Sequence, residues 1–144
     1  MYKYITILGA AGQIAQRLTA TLLTYTDMHI TLYGRQLSSR IHPEILEHNR
    51  ISVIEGSFQN PKKLEEAVKN SEIVFLSAME TGSDMAAMVK ALSRQNVRRI
   101  IGLSIAGLAG EFPKELEKWT FDRLPISYVQ GERQARNVLR ESNL

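Results

Sequence analysis

The sequence predicts an α/β protein built on a doubly wound parallel sheet, with strands ordered 3-2-1-4-5 and helices on both faces. Three observations carry that expectation. Short apolar runs alternate with helical patterns along all 144 residues, which is how right-handed βαβ units read. Most of the runs are nearly continuous, as in strands covered on both faces. A glycine turn, Gly9-Ala10-Ala11-Gly12, stands at the first strand-to-helix junction.

Taken in order, the first strand is expected at Lys3–Leu8, and the helix after the turn shows the apolar stripe Ile14, Leu18, Leu22 and Leu23. Further strands are expected at His29–Tyr33, Ile51–Ile54, Glu72–Ser77 and Arg99–Ser104. Asn60-Pro61 reads as an N-cap followed by proline in the first helical position, with Leu64, Ala67 and Val68 facing inward. Met85, Met88, Val89 and Leu92 form the next stripe, read as core filling in preference to a binding surface. Ser127-Tyr128-Val129-Gln130 matches a capping box, with Ala135, Val138 and Leu139 continuing that helix. No linker or solenoid repeat interrupts the pattern, so residues 1–144 are expected to form one domain.

Composition narrows the function classes. Hydrophobic residues at 44% and charged residues at 23% exclude a disordered chain. With no cysteine there is no disulfide framework or thiolate metal site, which fits a cytoplasmic location. Lys3 leads at once into a strand, unlike a signal peptide, and no apolar run reaches the roughly 20 residues that span a bilayer. The net charge of +3 is scattered. Arg98-Arg99 and the trio Arg133, Arg136 and Arg140 are its only concentrations, read as solvated surface, so neither nucleic acid nor membrane is expected as a partner.

The glycine turn carries the most specific chemistry. Gly9 to Ala15 reads G-x-x-G-x-x-A, a relative of the dinucleotide-binding fingerprint. Gly9 turns the chain sharply off the strand. Gly12 lets a pyrophosphate approach the backbone, and Ala15 lets the helix pack close. The helix N-terminus that follows offers unpaired N–H groups and a positive dipole end. An ordinary tight turn is the competing reading. The second strand ends Leu32-Tyr33-Gly34-Arg35, where NAD-selective folds commonly place a carboxylate for the ribose 2′-hydroxyl. Arg35 stands there instead, and a guanidinium suits a 2′-phosphate, so NADP(H) is expected ahead of NAD(H). A plain surface arginine at a strand end is the alternative.

On these residues the chain resembles the atypical short-chain dehydrogenase/reductase group, the NAD(P)H-binding, NmrA-like Rossmann family. The resemblance rests on Gly9-Ala10-Ala11-Gly12-Gln13-Ile14-Ala15, Tyr33-Gly34-Arg35, Glu55-Gly56-Ser57-Phe58, Ile73–Ala78, Arg99–Ser104 and the late helix from Gly131. It implies a Rossmann fold with Gly9, Ala11, Gly12, Gln13, Ile14, Gly34 and Arg35 at the cofactor. It also implies that Ser57 and Phe58 flank the adenine, that Ser77, Ala78 and Met79 line the nicotinamide side, and that Ser104 matches the active-site serine. The family's Tyr-x-x-x-Lys stands here as Tyr128-Val129-Gln130-Gly131-Glu132, with an acid in place of the lysine. Members usually run on into another strand and a substrate-binding region. With the chain ending at Leu144, those parts are expected to be missing and the fifth strand to be an exposed edge that could pair with another copy.

The remaining constellations are weaker. His29, His42 and His48 show no ligand pattern and are read as surface or structural, with no metal expected. Glu65-Glu66 and Glu115-Glu117 read as solvated faces, and no nucleophile elbow surrounds Ser104. Trp119 is placed in the loop before the late helix, packing or covering the nicotinamide side. The expected function is an NADP(H)-dependent oxidoreductase with Ser104 and Tyr128 as catalytic groups, passing a hydride to a small carbonyl, quinone or flavin-like acceptor. The alternatives are a non-catalytic NADP(H)-sensing or protein-binding module and an inert remnant of a longer enzyme.

Overall fold

The computed structural model describes residues 2–77 and 82–142. Five strands, β1 (Tyr4–Leu8), β2 (His29–Gly34), β3 (Ile51–Glu55), β4 (Ile73–Leu76) and β5 (Arg99–Gly102), form one parallel sheet. Their order is β3-β2-β1-β4-β5, as the alternation predicts. The helices are α1 (Gln13–Tyr25), α2 (Leu37–Arg40), α3 (Pro43–Leu46), α4 (Pro61–Val68), α5 (Gly82–Leu92), α6 (Lys114–Phe121) and α7 (Ile126–Glu141).

Side-chain alternation in the central strands divides the core into two layers. Ile5, Ile7, Ile30 and Leu32 bury against Ala15 and Leu37 on one face. Leu8, Tyr33, Val74 and Leu76 bury against Leu64, Val68, Met85, Met88 and Leu92 on the other. Met85 and Met88 are fully buried, so the methionine cluster fills the core. Thr6 faces this second layer, where its hydroxyl donates to the Ala67 carbonyl at 2.7 Å and pairs with Ser71. Asn60 caps α4 by accepting from the Lys63 amide, with Pro61 at the helix start. The histidines have structural contacts: His29 stacks on Tyr4, while His42 and His48 accept the amides of Glu44 and Arg50.

Three expectations need correcting. Ser127–Gln130 is not a capping box. Pro125 occupies the N-cap without a side-chain cap, and its carbonyl accepts from Tyr128 N and Val129 N, so Ser127 already lies inside the helix. Trp119 lies on α6 and not in a loop; it is half exposed, with the Arg123 guanidinium 3.8 Å from its ring centroid. Ile14 leaves the apolar stripe and is exposed, because Ala15 and Thr19 face the sheet at the start of α1.

The register brings the strand ends level. Leu8 pairs with Tyr33 and Leu76, Gly34 with Glu55, and Leu76 with Gly102. The turns after β1, β2, β4 and β5 therefore share the carboxyl edge of the sheet, where open α/β sheets hold their ligands.

Candidate dinucleotide site

The first turn is held by backbone hydrogen bonds. Gly9, at φ +76°, donates its N–H to the Tyr33 carbonyl at 2.9 Å, and Ala10 N–H donates to the same oxygen at 3.1 Å. Gly12 N–H closes the turn on the Gly9 carbonyl at 3.0 Å, and Ser77 Oγ donates to that carbonyl at 2.7 Å. A Cβ on Gly9 would lie 2.4 Å from Ser77 Oγ, so both its dihedral and its surroundings require glycine. Gly12 is different, since φ −67° and ψ 150° suit any residue. A Cβ there would meet the protein only at 3.4 Å or more, in the space facing Gly9 and Ser77. Its bareness serves what enters from outside. Gly12 is also the N-cap of α1 with no side-chain cap and no acidic residue in the first turn, so the first amides are left for an external anion.

A cleft of about 480 Å³ opens over this turn. Of the expected cofactor residues, Gly9, Ala11, Gly12, Gly34, Arg35, Ser57, Phe58 and Ser77 line it. Gln13 and Ile14, exposed at the start of α1, do not, and Ala78 and Met79 lie outside the described residues. Arg40, Gly56, Gln59 and Asp84 also line the cleft and were not anticipated. Arg40 matters most, because it brings a second guanidinium to the cleft that Arg35 lines. Its position follows from Gln36, whose left-handed φ of 54° turns the chain from β2 into α2. Glu55 then fixes α2 by accepting from Ser38 N at 2.8 Å and Ser38 Oγ at 2.9 Å. Those bonds from Ser38 hold the Glu55 carboxyl below its ordinary range. On the far wall, Phe58 meets Tyr33 edge-on, and Tyr33 donates its hydroxyl to the Ser57 carbonyl at 2.7 Å. Burial pushes the Tyr33 phenol up to about 12, so it stays a donor.

Ser104 and Tyr128 are joined through Glu132, away from this cleft. Leu103 N–H donates to the Leu76 carbonyl at 3.0 Å, so the ladder sets Leu103 opposite Ser77 and carries Ser104 one residue further past the end of β5. Ser104 lines a separate groove of about 350 Å³ with Gly102 and Arg136. Its Oγ donates to Glu132 Oε2 at 3.3 Å. Glu132 is only 4% exposed, on the inner face of α7 with Val129 and Ala135. Burial raises its carboxyl above the ordinary range, against the opposing bonds from Ser104, Tyr128 and the Ile105 backbone. Partial burial, then the Glu132 charge and hydrogen bond, push the Tyr128 phenol upward. Glu132 thus joins both expected catalytic groups, and its spacing with Val129 and Ala135 is the sequence signal that marks it. Among the described residues no metal-binding cluster exists, and no helix is long and apolar enough to cross a membrane.

Comparison with known proteins places this geometry. The chain is 80% identical to a short-chain dehydrogenase/reductase from Veillonella parvula, solved in an ethylated form and in complex with NADP, with a TM-score of 0.95. That match covers 100% of this chain and 66% of the Veillonella chain. The oxidoreductase aflX of Aspergillus parasiticus is 38% identical over 72 residues, 49% of this chain and 27% of the fungal protein. NmrA, a negative transcriptional regulator solved with NADP, shares the fold with a TM-score of 0.78 at 14% identity, over 99% of this chain and 43% of its own. The chain thus spans less than two thirds of these relatives' lengths. Residues 9–144 match the NAD(P)H-binding family pattern, and the chain belongs to that family.

Proposed function

We propose that the chain is an NADP(H)-dependent oxidoreductase of the atypical short-chain dehydrogenase/reductase type, reducing a small carbonyl, quinone or flavin-like acceptor. The observation that carries this reading is the cleft itself, with a bare glycine cradle at one point and two guanidiniums, Arg35 and Arg40, at another. The α1 amides and Gly12 take the pyrophosphate, while Arg35 and Arg40 take the 2′-phosphate by charge-assisted hydrogen bonds. Ser57 and Phe58 bound the adenine pocket. Ser77, with Ala78 and Met79 following it, directs the nicotinamide toward Ser104, whose hydroxyl hydrogen-bonds the acceptor oxygen beside Tyr128. The bound reduced cofactor supplies a hydride; the protein supplies position and electrostatics.

The NADP complex of the Veillonella relative and the oxidoreductase name of the Aspergillus relative support the reading. The test is oxidation of NADPH, followed by absorbance, against a panel of carbonyls, quinones and flavins. Turnover of at least one acceptor, reduced by Ser104→Ala, is expected. Tight NADPH binding with no turnover of any acceptor would instead favour an NADP(H)-sensing module. The acid at position 132 is the observation on that side, because it disfavours a Tyr128 phenolate.

A further inference from the structure

We propose that Glu132 is the proton reservoir of the acceptor site, delivering through the Ser104 hydroxyl the proton that acceptor reduction consumes. The inference rests on the reductase reading. Its basis is geometric: a carboxyl group 4% exposed lies on an otherwise apolar helix face, within hydrogen-bond distance of a serine at the carboxyl edge of the sheet. A purely apolar contact would serve packing better, since burying a carboxylate is costly unless it is paired with a cation. The groups acting on Glu132 are the Ser104 hydroxyl and Ile105 backbone from the segment after β5 and Tyr128 from its own helix, and none is a cation. Arg136, one turn further along α7, acts on Glu111 instead.

The relay balances. In the ionised state Ser104 donates to Glu132 across the 3.3 Å contact. In the protonated state the Glu132 O–H donates to Ser104 Oγ, which frees the serine proton for the acceptor. As a hydride from NADPH reaches the acceptor carbonyl carbon, the C=O π pair moves to oxygen and takes the Ser104 proton. The Glu132 O–H bond breaks as the Ser104 O–H bond re-forms, and the carboxylate regains its proton from water. NADPH is oxidised to NADP⁺ and the carbonyl is reduced to an alcohol. Tyr128, its phenol raised, stays protonated. This gives the acid in place of the lysine a role, with the proton source moved from the tyrosine to the carboxyl.

Two measurements test it. Carbon-13 NMR of the glutamate carboxyls in the cofactor-free chain, with Glu132 assigned by its loss in Glu132→Gln, should show Glu132 titrating above ordinary glutamates. Ser104→Ala should move it further up, because the lost bond favoured the ionised form. An ordinary titration, unmoved by Ser104→Ala, overturns the relay whatever the activity. In turnover, Glu132→Gln should lower kcat about a hundredfold while NADPH affinity holds, and abolish the decline in rate as pH rises through the Glu132 titration. Glu132→Asp should restore part of the rate and the pH limb. Wild-type kcat and an unchanged pH profile in Glu132→Gln overturn the relay and leave the reductase reading standing. No wild-type turnover of any acceptor overturns both.

Discussion

At the β1–β2 end of the carboxyl edge the site is made of backbone, and at the β4–β5 end it is made of side chains. The glycine turn is fixed by carbonyls and amides of strands whose own side chains, Ile7, Leu8, Ile30, Leu32 and Tyr33, are at most 1% exposed. The Ser104–Glu132–Tyr128 cluster hangs on an edge strand with no buried residue and on a helix that touches the sheet's flank. A backbone cradle over a close-packed core is rigid and tolerates little, because interiors transmit any volume change. A side-chain cluster at a sheet edge can exchange one chemical group for another without unsettling the fold. That difference explains how a carboxylate can stand in the edge cluster while the glycine turn keeps its form.

The comparison can be broken most sharply at the cradle. Gly12→Val should remove detectable NADPH binding in calorimetric titration while circular dichroism shows a folded chain, since position 12 has room in the protein but faces the cleft. Retained affinity would mean that the pyrophosphate sits elsewhere. Next in size, Leu32→Ala should cost about 2–5 kcal/mol of stability by leaving a cavity in the core. Ile101→Ala on the exposed edge should cost under about 1 kcal/mol. Similar losses in denaturant melts would erase the contrast between the two ends.

Cofactor choice sharpens the same contrast at a smaller scale. NADPH should bind roughly tenfold to hundredfold more tightly than NADH, and Arg35→Ala should remove most of that preference. Arg40→Ala should act in the same direction, and added salt should weaken the preference because both guanidiniums are exposed. The smallest effects are those of pH on stability. Glu55, whose carboxyl is held low, stabilises the fold at neutral pH, and that contribution fades as pH falls through its folded value. Glu132, whose carboxyl is held high, does the opposite: stability falls as pH rises from about the ordinary glutamate range through the raised value. Thermal melts should therefore show Glu55→Gln less stable and Glu132→Gln more stable than wild type near neutral pH. The Glu132 difference should vanish below about pH 4, and the Glu55 difference only once pH falls below that carboxyl's lowered value.

What the sequence reveals follows the same division. All five strands and their order are legible, because apolar runs and a glycine turn encode local backbone states. Asn60-Pro61 and the methionine stripe are legible for the same reason. Arg40 is not, because it reaches the cleft through a left-handed Gln36 and a cap supplied by Glu55 from another strand. The short helices α2 and α3 are hidden likewise, being four residues each. Ser127 resembles a cap in sequence but loses that position to Pro125, whose carbonyl receives the first-turn amides. Glu132 stands out in the sequence as the acid four residues after Tyr128, but its burial shows only through the company of Val129 and Ala135, and its partner Ser104 lies 28 residues away.

The central claim is that one dinucleotide spans both ends of this edge, and a crystal structure of the chain with NADP⁺ tests it most directly. The account predicts the pyrophosphate over Gly12 and the α1 amides, the 2′-phosphate between Arg35 and Arg40, and the nicotinamide beyond Ser77 toward Ser104. A 2′-phosphate clear of both arginines, or a nicotinamide turned away from Ser104, would contradict it.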